Sequence, residues 1–416
     1  MLLRTLTLLI AASVALVAPI YGGTAPLRAA ANKIDITPNH SVFLAGYGSN
    51  RKNTTVHDPI WARCLILESG NTRIAFVACD LIGFPRHASE KIRAQVKSVL
   101  PERLYISATH THSGPDTLGQ WGPDIQTSGV DKVWWAETQG RIVQLIEQTA
   151  TQLQSATLKF ANTMTVPKIS KNIRVPAILD TELGAMQILD GKGEKVIATF
   201  VNYSCHPEVL NSHALSADFP GWLYKTVESK VGGICLYLNG AQGGMVTADY
   251  DESISPKGEN FKATEEIGTG LANRTLEILN DAPLVKEANI HTQRSVFQIP
   301  LENPMFKMLI KLKVFPDETK KGENIETEVN RITIGEAEFL TLPGEVLPNI
   351  GFMLKRFMTG KTKFLLGLTC DELGYILSEE DFGLQLYRYE ASVSVGSQMG
   401  PMMVENLKRL LKEGKR

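Results

Sequence analysis

Cysteine is scarce in this chain: five residues in 416, at positions 64, 79, 205, 235 and 370, odd in number and set in apolar segments. That pattern excludes a disulfide scaffold and a clustered thiolate zinc site, leaving buried thiols with at most one or two bridges. An excess of either charge is missing too, since 43 Lys and Arg face 44 Asp and Glu. Nothing therefore points to a nucleic-acid groove or a broadly basic membrane-binding face. Internal repeats and low-complexity linkers are absent, so residues 30–416 read as one domain. No apolar run reaches the roughly 20 residues of a spanning helix. The longest, Leu8 to Ile20, follows Arg4, contains Pro19 and precedes the small residues Gly22, Gly23 and Ala25. Residues 1–25 thus read as a cleaved export signal, placing the mature chain in a periplasm or outside the cell, with an N-terminal membrane anchor as the alternative.

What is present is an alternation of strand and helix. Strands are expected at Arg73 to Cys79, Arg103 to Ala108, Val196 to Tyr203, Ile234 to Leu238, Glu338 to Leu342 and Phe364 to Leu368, where β-branched and aromatic residues cluster. Apolar residues at three and four spacing predict helices over Trp134 to Leu153, Thr264 to Leu279 and Met402 to Leu411. The expected fold class is α/β, a mixed and mostly buried sheet flanked by helices. The polar stretch from Asn303 to Glu328 reads as an exposed excursion, either a lid or a plain connector.

Functional side chains follow the strands. Asp80 comes after the first, His110 and His112 after the second, His206 after the third and the turn Asn239-Gly240-Ala241-Gln242-Gly243-Gly244 after the fourth. Glu345 follows the fifth, and Asp371, Glu372 and Tyr375 the last. Ligands of α/β proteins bind beyond the carboxyl ends of strands, so these residues have the means to meet in one crevice. His110, His206 and Glu345 are ligand types of catalytic zinc sites. Each also has a plainer reading: a lone histidine as a turn residue, Glu345 as a carboxylate at a helix N-terminus, Asp80 as a helix cap. The glycine-rich turn is no phosphate-binding loop, because no lysine and hydroxyl pair follows it.

The ordered segments Lys33-Ile34-Asp35-Ile36-Thr37-Pro38, Ala45-Gly46-Tyr47-Gly48, Thr109-His110-Thr111-His112-Ser113-Gly114-Pro115, Cys205-His206-Pro207, Leu342-Pro343-Gly344-Glu345 and Arg388-Tyr389-Glu390-Ala391-Ser392 resemble the neutral ceramidase family. The resemblance implies a Zn2+ ion held by His110, His206, Glu345 and Tyr375. It also implies His112 beside the substrate, Tyr389 polarising its carbonyl and Arg174 touching it. Where the family has Gly-Asp-Val-Ser-Pro, with serine as nucleophile, this chain has Gly243-Gly244-Met245-Val246-Thr247. Val246 takes the serine position and Thr247 lies one residue along. The chain also stops shortly after Arg-Tyr-Glu-Ala-Ser, without the family's immunoglobulin-like domain.

The resulting expectation is a zinc-dependent amide hydrolase acting on N-acylsphingosine or a related N-acyl lipid through metal-activated water, with His112 as acid and base and Tyr389 and Arg174 as oxyanion stabilisers. Its partner is a small-molecule or lipid amide substrate, with peripheral contact to membrane lipid possible and no nucleic acid. Two alternatives stand beside it: a zinc hydrolase of a non-lipid amide or ester such as an acylated cell-wall component, and an inactive lipid- or glycan-binding homologue.

Overall fold

The computed structural model describes residues 26–164, 169–251, 259–316 and 320–414. Eight of its strands form one sheet: β1 (Leu27–Asp35), β2 (Trp61–Ser69), β3 (Thr72–Cys79), β4 (Leu104–Ala108), β5 (Gln154–Thr163), β6 (Leu183–Asp190), β7 (Val196–Tyr203) and β8 (Ile234–Asn239). Their spatial order is β8-β7-β6-β5-β1-β2-β3-β4. The outermost pairs, β7 with β8 and β3 with β4, are parallel, whereas the strands between them pair antiparallel. A second sheet runs β9 (Ile290–Pro300), β10 (Asn324–Ile334), β11 (Ala337–Thr341) and β12 (Thr362–Leu366), its last pair parallel.

The two sheets face each other across one apolar core. Phe339 stacks on Phe364 with ring centroids 4.3 Å apart, and Phe200 from the first sheet meets both rings edge-on. Each such ring contributes roughly 1.5–3 kcal/mol by leaving water. Strands covered on both faces carry near-continuous apolar runs, which is why β3, β4 and β7 are legible in the sequence.

Helices cover the outer faces. α1 (Arg86–Arg93) and α2 (Lys132–Ala150) pack Ile92, Trp134, Ile142 and Ile146 against the β1–β4 half. α3 (Phe219–Val231) and α4 (Phe261–Asn280) cover β6 to β8 through Phe219, Leu223 and Leu271. Behind the second sheet lie α5 (Pro304–Lys311), α6 (Pro348–Phe357) and α7 (Met399–Glu413). The start of α2 is fixed by Asp131, whose carboxylate accepts from the Val133 and Trp134 amides.

The α/β class with a large, mixed, helix-flanked sheet agrees with the sequence reading. One expectation needs correction. The stretch from Asn303 to Glu328 is no simple excursion: Asn303 caps α5, and its last residues enter β10, where Ile325, Thr327 and Glu328 are buried. All five cysteines are buried and free, so no bridge forms. Among the described residues no helix is long and apolar enough to cross a membrane. The expected export signal at 1–25 lies outside the described residues.

Three parallel strand pairs, β3 with β4, β7 with β8 and β11 with β12, release their chains where the site forms.

Candidate metal and catalytic site

His110 leaves β4 in a left-handed conformation, with φ of 73°. A non-glycine residue held there stores about 1–3 kcal/mol of strain, a cost found where a side chain must be aimed. Its Nδ1 donates to the Ile82 carbonyl at 2.5 Å. His206, beyond β7, does likewise: its Nδ1 donates to the Val246 carbonyl at 2.8 Å. With each Nδ1 donating to backbone, both Nε2 atoms point inward, the orientation of metal-ligating histidines. They converge on Glu345, whose Oε2 lies 2.8 Å from Nε2 of His206 and 3.5 Å from Nε2 of His110.

Glu345 is delivered by the turn after β11. Its two-residue strand pairs in parallel with Tyr375–Ile376, setting Glu345 directly beside Tyr375. The glycine-rich turn packs beneath: the Gly243 amide donates to the Val346 carbonyl, and a Cβ at Gly243 would stand 2.3 Å from the Glu345 carbonyl oxygen. That close approach is why glycine is required there.

His112 completes the cluster. Nitrogen atoms of His110, His112 and His206 all lie within 4.8 Å of one another. The His112 ring is seated on Gly46, where any Cβ would collide with it, and meets Tyr47 edge-on at 5.1 Å. Arg51 donates to the carbonyls of His112 and Ala45 and lies over the Tyr47 ring, tying the Ala45-Gly46-Tyr47-Gly48 turn to the histidine. Neither ring nitrogen of His112 has a hydrogen-bond partner among the described residues, and Glu208 Oε2 stands 3.6 Å from Nδ1.

Electrostatics follow from these positions. Burial alone would raise the Glu345 carboxyl, yet His110 and His206 hold it well below the usual carboxylate range. Burial disfavours the His206 cation, but the Glu345 hydrogen bond and the Glu208 charge outweigh it and push the imidazole up to about 9. His112 moves the other way, pushed well below the ordinary imidazole range by burial and then by the two neighbouring histidines. A buried, anionic carboxylate beside inward-facing Nε2 atoms and a tyrosine is a donor set that suits a divalent zinc ion.

These groups open into a cavity of about 610 Å³. His110, His112, Glu345, Tyr375 and Tyr389 line it on one side, while Phe306, Phe315, Trp121 and Trp135 form apolar wall elsewhere. Tyr389 meets Tyr375 edge-on at 5.9 Å.

Other residues singled out in the sequence lie elsewhere. Arg174 does not line the cavity, because its Nε donates to Glu390 at 2.7 Å, clamping the Arg388–Ser392 turn that carries Tyr389. Val246 and Thr247 do not line it either, and Val246 contributes its carbonyl to His206. Asp80 is no helix cap: it accepts from the Trp61 amide and the Tyr224 hydroxyl, and burial pushes its carboxyl up to about 6. Asp371 accepts from Thr327 and the Arg86 amide at the cavity edge.

Glu372 and Glu208 received no role in the sequence reading. Glu372 lines the cavity with Oε2 buried and unbonded among the described residues, and burial, then Glu345, push its carboxyl well above the usual range. Its signal was adjacency to Asp371 at the end of β12. Glu208 was signalled only by following His206-Pro207.

Residues 29–178 match a family profile described as neutral/alkaline non-lysosomal ceramidase, N-terminal. Curated protein sequences give no match. Among solved structures, a neutral ceramidase from Pseudomonas aeruginosa aligns with a TM-score of 0.77 and 18% identity over 94% of this chain and 75% of that one. A structure titled as ceramidase complexed with C2 aligns with the same figures. The resemblance carried by the motifs therefore holds: the chain has the neutral/alkaline non-lysosomal ceramidase signature in its N-terminal part and the neutral ceramidase fold over nearly its whole length.

Proposed function

We propose that this protein is a zinc-dependent hydrolase cleaving the amide bond of a ceramide-type N-acyl lipid, with water rather than a serine as nucleophile. The observation that carries the proposal is the pairing of two backbone-anchored Nδ1 atoms with two Nε2 atoms converging on Glu345. His110, His206, Glu345 and Tyr375 would hold the ion. Bound there, zinc supplies Lewis acidity to the amide carbonyl and lowers the pKa of water.

The remaining work falls to side chains. His112, kept neutral by its surroundings, takes a proton from water at Nε2 as the oxygen adds to the carbonyl carbon. Glu208 faces Nδ1 and steadies the ring. The same Nε2 returns the proton to the amine nitrogen as the C–N bond breaks, giving a fatty acid and a free amine. Tyr389 donates its hydroxyl to the carbonyl oxygen while negative charge grows there. Arg174 acts at one remove, positioning Tyr389 through Glu390. The apolar walls accept an acyl chain and keep bulk water from the reacting bond.

The 4.8 Å convergence of the three histidines supports a second reading in which His112 is itself a ligand and Glu372 serves as base. The test of the main proposal is elemental analysis beside fatty-acid release from N-acylsphingosine. About one zinc per chain with amide cleavage supports it; a chain that binds no zinc overturns it.

A further inference from the structure

The cavity bears a charge pattern that a neutral lipid would leave unused. Lys91 comes from α1, Lys132 is the first residue of α2, and Lys313 follows α5. Three elements distant in sequence thus place a lysine on the lining of one cavity, in a protein whose overall charge is only −1. The lining carboxylates are Glu345, Asp371 and Glu372, and all have other partners: His206 for Glu345, Thr327 and the Arg86 amide for Asp371, and the Gly374 amide for Glu372. Asp131, next to Lys132, is engaged by His40 at 2.7 Å and by the α2 amides. Lys132 and Lys313 are exposed and form no ion pair among the described residues. Beside the lysines run the apolar side chains of Trp121, Trp135, Phe306 and Phe315.

We propose that this cavity selects N-acyl amphiphiles whose amine half carries an anionic group, a carboxylate, sulfonate or phosphate, received by Lys132 and Lys313 while the acyl chain lies on the aromatic wall. The proposal rests on the amide-hydrolase reading and, among N-acyl lipids, ranks acidic amphiphiles above neutral ones. Both lysines are exposed, so their attraction for an anion is one that salt screens, and the ligand's two halves match the two kinds of lining.

The test reads binding apart from turnover. Trp121 and Trp135 line the cavity, so their fluorescence reports occupancy when the full-length protein is titrated with N-lauroyl taurine or N-lauroyl ethanolamine below micellar concentrations. The anionic probe is expected to bind about tenfold tighter at low salt. In the Lys132→Gln/Lys313→Gln variant, or at roughly 0.5 M salt, that ratio is expected to fall to within about threefold. The charge-reversed Lys132→Glu/Lys313→Glu variant is expected to favour the neutral probe. Equal affinity of wild type for both probes, or a preference that survives both substitutions, overturns the proposal. Amine release is scored separately: a preference without cleavage of either amide counts against the hydrolase reading and leaves the cationic rim standing.

Discussion

His206 Nε2 lies 2.8 Å from Glu345 Oε2, a contact joining residues 139 positions apart through the ends of strands in two different sheets. Its other nitrogen is taken by the Val246 carbonyl, so the ring cannot rotate away without losing a buried hydrogen bond. A metal ion would take the place of the shared proton, which makes the pair a direct handle on metal binding. His206→Ala and Glu345→Gln are each expected to reduce zinc from about one per chain to well under a third, measured by elemental analysis after gel filtration.

His112 separates the two readings of the cluster. As proton carrier, it can be replaced by glutamine with zinc content unchanged and turnover lowered by about 10²–10⁴. As a ligand, it cannot be replaced without losing metal. Zinc content and fatty-acid release on the same His112→Gln preparation decide between them.

Much of this cluster was legible in the sequence because parallel strands end on a common edge. His110, His206 and Glu345 needed only correct strand assignments to be brought together. Arg174 was different: Glu390 lies 216 residues away, and no local pattern signals that pairing. For Asp80 the helix-cap alternative fails, because its partner Tyr224 is on a distant helix that no local pattern signals. Of the second sheet, β11 and β12 were expected, whereas β10 escaped notice because it carries Glu326, Glu328, Asn330 and Arg331 among its apolar residues, which mimics a solvated connector. Glu326, Glu328 and Arg331 are paired with residues that sequence does not display.

Arg174 should behave as a positioning residue. Glu390 is fully buried, and removing its partner leaves a carboxylate in apolar surroundings. Arg174→Ala is expected to cost about 2–4 kcal/mol in stability, with most of the loss restored in Arg174→Ala/Glu390→Gln. Urea denaturation of wild type, Arg174→Ala, Glu390→Gln and the double variant measures the coupling. A residue that contacted substrate would not be rescued by a change at Glu390.

Val246 and Thr247 test the serine-free mechanism. Neither lines the cavity, so Thr247→Ala is expected to keep turnover within about twofold, and Val246→Ser to form no acyl-enzyme detectable by mass spectrometry. Val246→Ser should also lower stability by about 1–3 kcal/mol, since a hydroxyl would be placed in a fully buried position. Loss of activity in Thr247→Ala would restore a threonine nucleophile to the argument.

A second buried carboxylate held in its charged form does not line the cavity. Glu328 is fully buried on β10 and receives Arg93 at 2.8 Å, with Arg86 and Arg294 also bound to it. Burial opposes its charge, yet the Arg93 and Arg294 guanidinium groups hold its carboxyl well below the usual range. A depressed folded-state pKa means that the unfolded chain takes up the proton first as pH falls. The stabilisation is therefore present at neutral pH and is lost under acid, progressively below the unfolded pKa near 4.3. Glu328→Gln removes the charge and leaves Arg93, itself buried, with only the partly exposed Glu90 carboxylate. The variant is expected to be less stable by about 3–5 kcal/mol at pH 7, with the deficit narrowing as pH drops from about 5 toward 2. Urea midpoints of wild type and variant across that range measure it, and a deficit independent of pH would mean that packing, not charge, is what Glu328 supplies.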